Sequence, residues 1–452
     1  MRLCTRGLSG GPQINGRRGL QVTRGFHRTH RWRCLSTKGL ITWHTLVLSL
    51  WLVVTGVVLG MAVIVMTSTH SSGGDFRNLW VGGWLLGHHL NPYSVRLGNR
   101  VFYRLSSPGA GQGPTGPLPY LPWVIVLFAP LSYLPAATAL WIWDALSFVA
   151  ALALTCVWAR TLGWTWIQAV AAGLAASTST IACCVYILGQ VPCVSFALLL
   201  AALALAYRGH YFGSGVAAMA ASLVYYQLYW PVAVLLVAFA AHRGRHTLVQ
   251  VAMGETVGLG ALILLPWAAR PALLGEWFGA VVVFGHHELS GYGMIGAVGL
   301  LSYLGPGYAN SLTAIHTAVV TSALLGLAGL GYLAWRGRNV AWDSQIAVLL
   351  PLSIVAWATF SPYGHIQDLM LGVPLCMAMM GQRGPAVLGW PGLAGVWCLT
   401  VVPVLTGVMS GNFFLETSPL PLALLGLSVA GVLYWRKLQV GVGATRPVGS
   451  TR

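Results

Sequence analysis

The chain has 452 residues, of which 56% are hydrophobic and 7% charged, and its mean hydropathy is +0.73. A soluble domain carries about 25% charged residues, so a water-soluble enzyme, a disordered chain and a disulfide-held scaffold are excluded together. Lys and Arg total 25 against 8 acids, a formal net charge of +17, but these charges stand in short stretches between long apolar runs. There they read as positive-inside topology signals and not as a nucleic-acid surface.

In chain order, residues 1–38 hold nine basic residues, from Arg2 to Lys38, and no acid, which reads as a cytoplasmic tail close to anionic lipid. Residues 39–67 are too long an apolar stretch for a signal-peptide core and read as an uncleaved first span. Outside it lies the longest polar stretch, 68–119. Within that stretch Phe76, Leu79, Trp80, Trp84 and Leu86 have helical spacing, and Asn91-Pro92-Tyr93 ends the helix. A short helix with an aromatic face is expected in the interface plane.

Later spans are expected at 120–136, 137–159, 165–185, 190–207, 211–240, 247–268, 312–335, 344–361, 367–381, 386–408 and 418–435. With the first they make an all-α polytopic membrane protein of about twelve helices. The transmembrane domain is 39–435, and both tails, 1–38 and 436–452, are cytoplasmic. Arg243, Arg245, Arg336, Arg338 and Arg383 fall inside, as the positive-inside rule requires. Arg160 and Arg208 land outside, in mild disagreement, and the register in that region changes if the Pro-rich segment 120–136 is re-entrant. The stretch 269–311 is read as a second outer loop. The eight cysteines form no CxxC pair and read as small core hydrophobes.

With so few carboxylates, each can be weighed. Asp343 belongs to an inner loop, and Glu276, Glu288 and Glu416 to outer loops. Asp144 and Glu255 fall within spans, where an ionisable group is costly and marks a functional candidate by default. Asp75 stands just past the first span, at the start of the outer helix. It can cap that helix, or it can act as a general base at the membrane surface, where an acceptor hydroxyl meets a lipid-borne donor.

The residues around it resemble a known family. Gly74-Asp75-Phe76, Asn91-Pro92-Tyr93, Pro119-Tyr120-Leu121-Pro122-Trp123 and Ala129-Pro130-Leu131 are similar to the opening of glycosyltransferase family 87, of the GT-C membrane glycosyltransferases. Leu188-Gly189-Gln190-Val191-Pro192 resembles its Gly-Gln-x-x-Pro-type segment, and Ser361-Pro362-Tyr363 with His365 and Asp368 its late Ser-Pro signature. The resemblance implies a GT-C-like fold in a bacterial plasma membrane, with an extracytoplasmic site and an essential Asp that maps onto Asp75. It also implies inverting transfer from a polyprenyl-phosphate sugar, with mannose the leading guess, to a glycolipid or glycan acceptor. Gln190, Gln227, Tyr363 and Asp368 become contacts to acceptor or sugar. Where members commonly have a Lys before a proline, this chain has Gln227, which donates a hydrogen bond but carries no charge.

A departing lipid phosphate needs cations or fixed donors. Arg77, His88, His89, His287 and His365 are the candidates, Arg for its planar fork and His for its proton. The adjacent pair His286-His287 has no acidic cluster beside it and is not a metal motif, so no metal or cofactor is expected beyond the lipid-linked sugar itself. The competing readings are a twelve-span transporter or lipid flippase, which calls for repeated halves and midplane polar groups, and a non-catalytic assembly subunit.

Overall fold

The structure is a computed structural model that describes residues 74–105, 118, 120–179, 182, 185–186, 189–224, 226–287, 311–361, 370–380 and 420–443. The basic tail 1–38, the first span 39–67, the span at 386–408 and the residues Tyr363, His365 and Asp368 lie outside them. The described regular structure is entirely helical. In chain order the helices are α1 (Gly74–Gly87), α2 (Val95–Leu105), α3 (Pro122–Phe128), α4 (Ala136–Thr161), α5 (Trp166–Ser177), α6 (Pro192–Tyr207) and α7 (Tyr211–Val224). They continue with α8 (Tyr226–Arg243), α9 (Arg245–Ala269), α10 (Leu273–His287), α11 (Leu312–Gly337), α12 (Trp342–Phe360), α13 (Gly372–Met380) and α14 (Leu420–Gly443).

Four stretches are long and apolar enough to cross a bilayer, Ala136–Thr161, Arg245–Ala269, Thr313–Gly337 and Trp342–Phe360. At 1.5 Å per residue the first reaches about 39 Å, more than the roughly 30 Å of hydrocarbon. Shorter apolar helices, α5, α6, α7 and most of α8, pack among them. The protein is therefore a polytopic helical membrane protein. Local chemistry sets the helix ends. Thr165 and Gln168 form a capping box at the start of α5, Ser311 caps α11, and Pro122 and Pro192 open α3 and α6, where a proline's missing N–H costs nothing.

Two expected spans differ from the sequence reading. In 120–136 the helix α3 has only 7 residues, about 10 Å of rise, and a 3-10 turn at Leu131–Tyr133 leads straight into α4. Trp123, Val124, Ile125 and Phe128 are buried in protein, which an apolarity scan cannot tell from burial in lipid. A helix of this length does not by itself reach across a bilayer, as a re-entrant piece would not. The stretch 211–240 divides into two helices, α7 ending at Val224 and α8 beginning at Tyr226. Ser222 Oγ donates to the Tyr229 carbonyl (3.0 Å) across the break, and at the far ends Arg243 lies 5.6 Å from the ring of Tyr211. These two helices form an antiparallel hairpin.

The bundle consequently has two distinct ends. At one, Trp158 meets Tyr207 (6.3 Å between rings), Trp342 Nε1 donates to the Ala206 carbonyl (3.0 Å), and Arg243 stacks on Trp342 (5.0 Å). Arg160, Arg208, Arg243, Arg245, Arg336 and Arg338 are exposed at this end, so the register change brings Arg160 and Arg208 into line with the others. At the opposite end Trp143, Phe128, Phe76, Gln190 and the α7–α8 turn come together. Trp123 Nε1 donates there to the Leu223 carbonyl (3.2 Å). Between the ends α7 and α9 run parallel with their backbones touching. A Cβ on Gly254 would stand 2.1 Å from the Phe212 carbonyl oxygen, and one on Gly215 would stand 2.3 Å from that of Val251. Small residues permit this approach, the usual basis of helix packing in membranes.

Candidate functional site

The site is built on α1. Phe76, Leu79, Trp80, Val81 and Leu85 are buried, so this helix is packed into the protein over most of its circumference instead of lying free in the interface plane. Gly83 lets it press on the backbone of α3, where an added Cβ would meet the carbonyl carbon of Phe128 at 2.7 Å. Trp80 Nε1 donates to the Leu134 carbonyl (3.1 Å), and Phe76 and Phe128 meet edge to face at 5.7 Å. These contacts fix the orientation of the helix and of the acid at its start.

Asp75 lies inside the first turn of α1, not ahead of it, and its Oδ2 accepts a hydrogen bond from Gln190 Nε2, 115 residues away. Its proton affinity reflects two opposed effects. Burial pushes the carboxyl above its ordinary value, and the Gln190 hydrogen bond pulls part of the way back. A helix N-terminus also favours negative charge there, by about 0.3–1 kcal/mol. The result is a partly exposed acid with raised basicity and a fixed orientation, the properties a general base needs.

Gln190 is presented by a tight turn. Gly189 has φ +63, a conformation that costs an L-residue roughly 1–2 kcal/mol. A Cβ at this position would also stand 2.4 Å from Phe76 Cβ. Trp143 Nε1 holds the Gln190 carbonyl oxygen at 3.3 Å. The Gly-Gln pair found in the sequence therefore serves Asp75 itself, with glycine required so that the turn can sit against α1.

The expected phosphate ligands are distributed differently. Arg77 is two residues from Asp75, a spacing that points the two side chains apart on a helix, and its guanidinium lies over the ring of Phe102 on α2 at 5.5 Å. Burial lowers its proton affinity. His88 and His89 are exposed at the other end of α1, about 20 Å of helix rise from Asp75. His88 stacks on Trp84 (3.6 Å) and donates through Nδ1 to its carbonyl (2.8 Å), while His89 takes φ 57 and closes the helix. Backbone bonds from Leu90 to Leu85 and from His89 to Leu86 complete that stop, a Schellman-type ending. The structure does not bring these two histidines to Asp75. His287 is on α10 and Gln227 on α8, with side chains outside the described residues.

A cation the sequence reading left out stands at the same end of the bundle. Arg270, just past α9, pairs with Glu276 on α10 at 2.5 Å, while Arg270 Nη1 and Glu276 Oε2 are buried without a partner among the described residues. Burial pushes the Glu276 carboxyl up and Arg270 holds it down. Glu276 in turn adds to burial in raising the proton affinity of Tyr93, whose hydroxyl donates to the Tyr120 carbonyl (3.0 Å). Tyr93 lines a small cleft with Asn78, Val81 and Leu118, one helical turn beyond Asp75. The only sequence signal for Arg270 was its place beside Pro271 at a span end, six residues before an acid. Among the described residues no three His, Cys, Asp or Glu side chains gather as a metal site.

The family model for glycosyltransferase family 87 matches residues 119–362, more than half of the chain. The chain belongs to glycosyltransferase family 87. It is accordingly a membrane glycosyltransferase, an enzyme that takes a sugar donor and an acceptor, and the resemblance found in the sequence is confirmed over that range. No curated protein matches the chain. In this family member Gln190, the short helix α3 and Arg270 all lie within the matched region, whereas Asp75 precedes it and is joined to it through Gln190.

Proposed function

We propose that the protein moves a sugar, with mannose the first candidate, from a polyprenyl-phosphate donor to a hydroxyl of a glycolipid or glycan. The reaction is placed on the extracytoplasmic face of a bacterial plasma membrane, in a GT-C-like fold of about twelve helices with both termini cytoplasmic. The observation that carries this reading is the Asp75–Gln190 pair, standing at the end of the bundle opposite the exposed arginines. Positive-inside logic puts those arginines in the cytoplasm and Asp75 outside.

In the transfer, Asp75 takes the proton of the acceptor hydroxyl as its oxygen attacks the anomeric carbon from the face opposite the phosphate. The carbon–oxygen bond to phosphate breaks in the same displacement, its electron pair leaves with the phosphate, and configuration inverts. The leaving dianion needs a cation. Arg270 is assigned this role, because Glu276 occupies one nitrogen of its fork and the other is unused. Arg77 serves if its guanidinium leaves Phe102, and His287 and His365 are further candidates from later loops. Gln227, Tyr363 and Asp368 are retained as sugar or acceptor contacts. No metal or cofactor is assigned a step.

The test is sugar transfer in membranes supplied with polyprenyl-phosphate mannose and, in parallel, its glucose and arabinose counterparts. Transfer that falls about a hundredfold or more with Asp75→Asn while the folded protein persists supports the reading. Turnover by Asp75→Asn within about tenfold of the parent rejects the base role, and lipid translocation without transfer would favour the transporter reading.

A further inference from the structure

The helix α2 carries a row of cations on its open face. Arg96, Arg100 and Arg104 are exposed and stand four residues apart, so successive side chains are offset by only about 40° around the helix and the row runs about 12 Å along it. Tyr103, 63% exposed, falls on the same face, roughly 20° to the other side of Arg96. The opposite face is buried. Gly98, Val101 and Phe102 lie there, and α2 packs against α1, where the Arg77 guanidinium covers the Phe102 ring at 5.5 Å. The cleft beside Tyr93 is lined from that buried side by Ser94, Val95 and Gly98, and by none of the three arginines.

Nothing among the described residues neutralises this row. No acid occurs between Asp75 and Asp144, and the ion pair found among the described residues is that of Arg270 with Glu276. Like charges four apart on a helix repel, and Arg96 stands in the first turn, where the helix dipole disfavours a cation. Topology does not account for the row either. The exposed arginines at the far end of the bundle agree with a cytoplasmic position, whereas these three belong to the Asp75 end, where the positive-inside bias runs against them. A negatively charged partner relieves all three costs together. An open face turned away from the cleft suits a surface of repeated phosphates better than one enclosed ligand, and an exposed Tyr among the arginines suits the depth of lipid headgroups.

We propose that the exposed face of α2 is a docking surface for anionic phospholipid: Arg96, Arg100 and Arg104 bind headgroup phosphates through their planar forks, on the side of the membrane that holds Asp75, with Tyr103 at headgroup level among them. This goes beyond the transfer reaction and does not depend on which sugar is moved. It makes α2, and not α1, the helix that lies along the membrane surface.

The experiment places the full chain in nanodiscs of phosphatidylcholine alone or of phosphatidylcholine and phosphatidylglycerol in equal parts. A fluorophore on Asn99→Cys, in a cysteine-free background, reports from the edge of this face, and a nitroxide-headgroup lipid quenches it by proximity. Since one arginine near an anionic surface is worth about fivefold in binding, quenching should be at least about twofold stronger in the anionic discs. Salt at about 1 M should remove the difference. The triple variant Arg96→Gln/Arg100→Gln/Arg104→Gln should remove it as well, whereas Arg208→Gln/Arg245→Gln/Arg338→Gln, with the same change in net charge, should keep it. Equal quenching in both discs, a difference that survives the first triple variant or the salt, or one abolished by the second triple variant overturns the proposal. If the first triple variant does not fold, Arg100→Gln and the salt series on the parent decide in its place. Equal quenching of the parent in both discs, together with a raised KM for the lipid-linked donor in the first triple variant, would give the arginines to substrate phosphate and likewise overturn the lipid surface.

Discussion

Gln190 Nε2 donates to Asp75 Oδ2 across 115 residues of chain, tying the start of the first described helix to the turn that opens α6. The bond does two things at once. It aims the carboxyl group, and it opposes the burial that raises the acid's proton affinity.

Removing the base should be far more damaging than removing its partner. Asp75→Asn is nearly isosteric and leaves the packing of Phe76 and Trp80 untouched. General-base catalysis contributes about 10²–10⁴-fold, and transfer should fall by that range with no change in yield or thermal stability of the purified protein. Steady-state transfer together with a melting curve in detergent checks both halves.

The pH profile should identify the same pair. Asp75 acts as a base only when deprotonated, so kcat should rise with pH on the acid side, with a midpoint above the usual 3.8 of an aspartate. Gln190→Leu removes the interaction that lowers the proton affinity. Its acid limb should therefore move to higher pH, leaving the deficit relative to the parent largest in acid and smallest in alkali. A limb that does not move would detach Gln190 from the titration of Asp75.

The turn that carries Gln190 should tolerate almost nothing else. Gly189→Ala meets both a left-handed backbone and a contact of 2.4 Å with Phe76 Cβ. Strain of about 1–2 kcal/mol and overpacking of similar size should add to a loss of about 2 kcal/mol or more, seen as a clear drop in melting temperature. Activity should fall too, because the displaced element is Phe76, next to the base.

Much of this site was legible in the sequence and some of it was not. Acids are so scarce that Asp75 and Asp144 stand out by type, and the Gly189-Gln190 pair resembles a family segment. That Gln190 serves Asp75 was not legible, because a pairing across 115 residues leaves no periodic trace. His88 and His89 have the right chemistry for a phosphate and were placed in the right loop, yet fourteen residues of helix carry them away from the base. The short helix within 120–136 was not legible, because hydropathy reports apolar residues without saying whether lipid or protein surrounds them. The reversal between α7 and α8 has no glycine or proline to announce it.

Arg270 offers a test of the leaving-group side. Arg270→Ala removes one nitrogen that pairs Glu276 and one that is unused, and should cost at least about tenfold in kcat/KM for the lipid donor. Arg270→Lys keeps the charge but not the two-pronged geometry, so it should fall between the parent and the alanine variant. Donor-concentration series for the three proteins decide this. An alanine variant indistinguishable from the parent would leave the phosphate to other cations.

The topology carries the remaining weight, since a base on the wrong side of the membrane would meet the wrong substrates. With α3 too short to cross and 211–240 folded as a hairpin, α4, α6 and α8 all end where Arg160, Arg208 and Arg243 are exposed. Single cysteines at positions 160, 208 and 245 of a cysteine-free background should share one accessibility, being shielded in intact cells and labelled by a membrane-impermeant maleimide only after permeabilisation. A cysteine at position 272, just before α10, should be labelled in intact cells. The twelve separate crossings first read from the sequence give the opposite result for 160 and 208, which would be labelled from outside. Because Asp75 is tied to Gln190 at the start of α6, labelling of position 208 from outside would move Asp75 to the cytoplasmic face and remove it from the lipid-linked donor assigned to it.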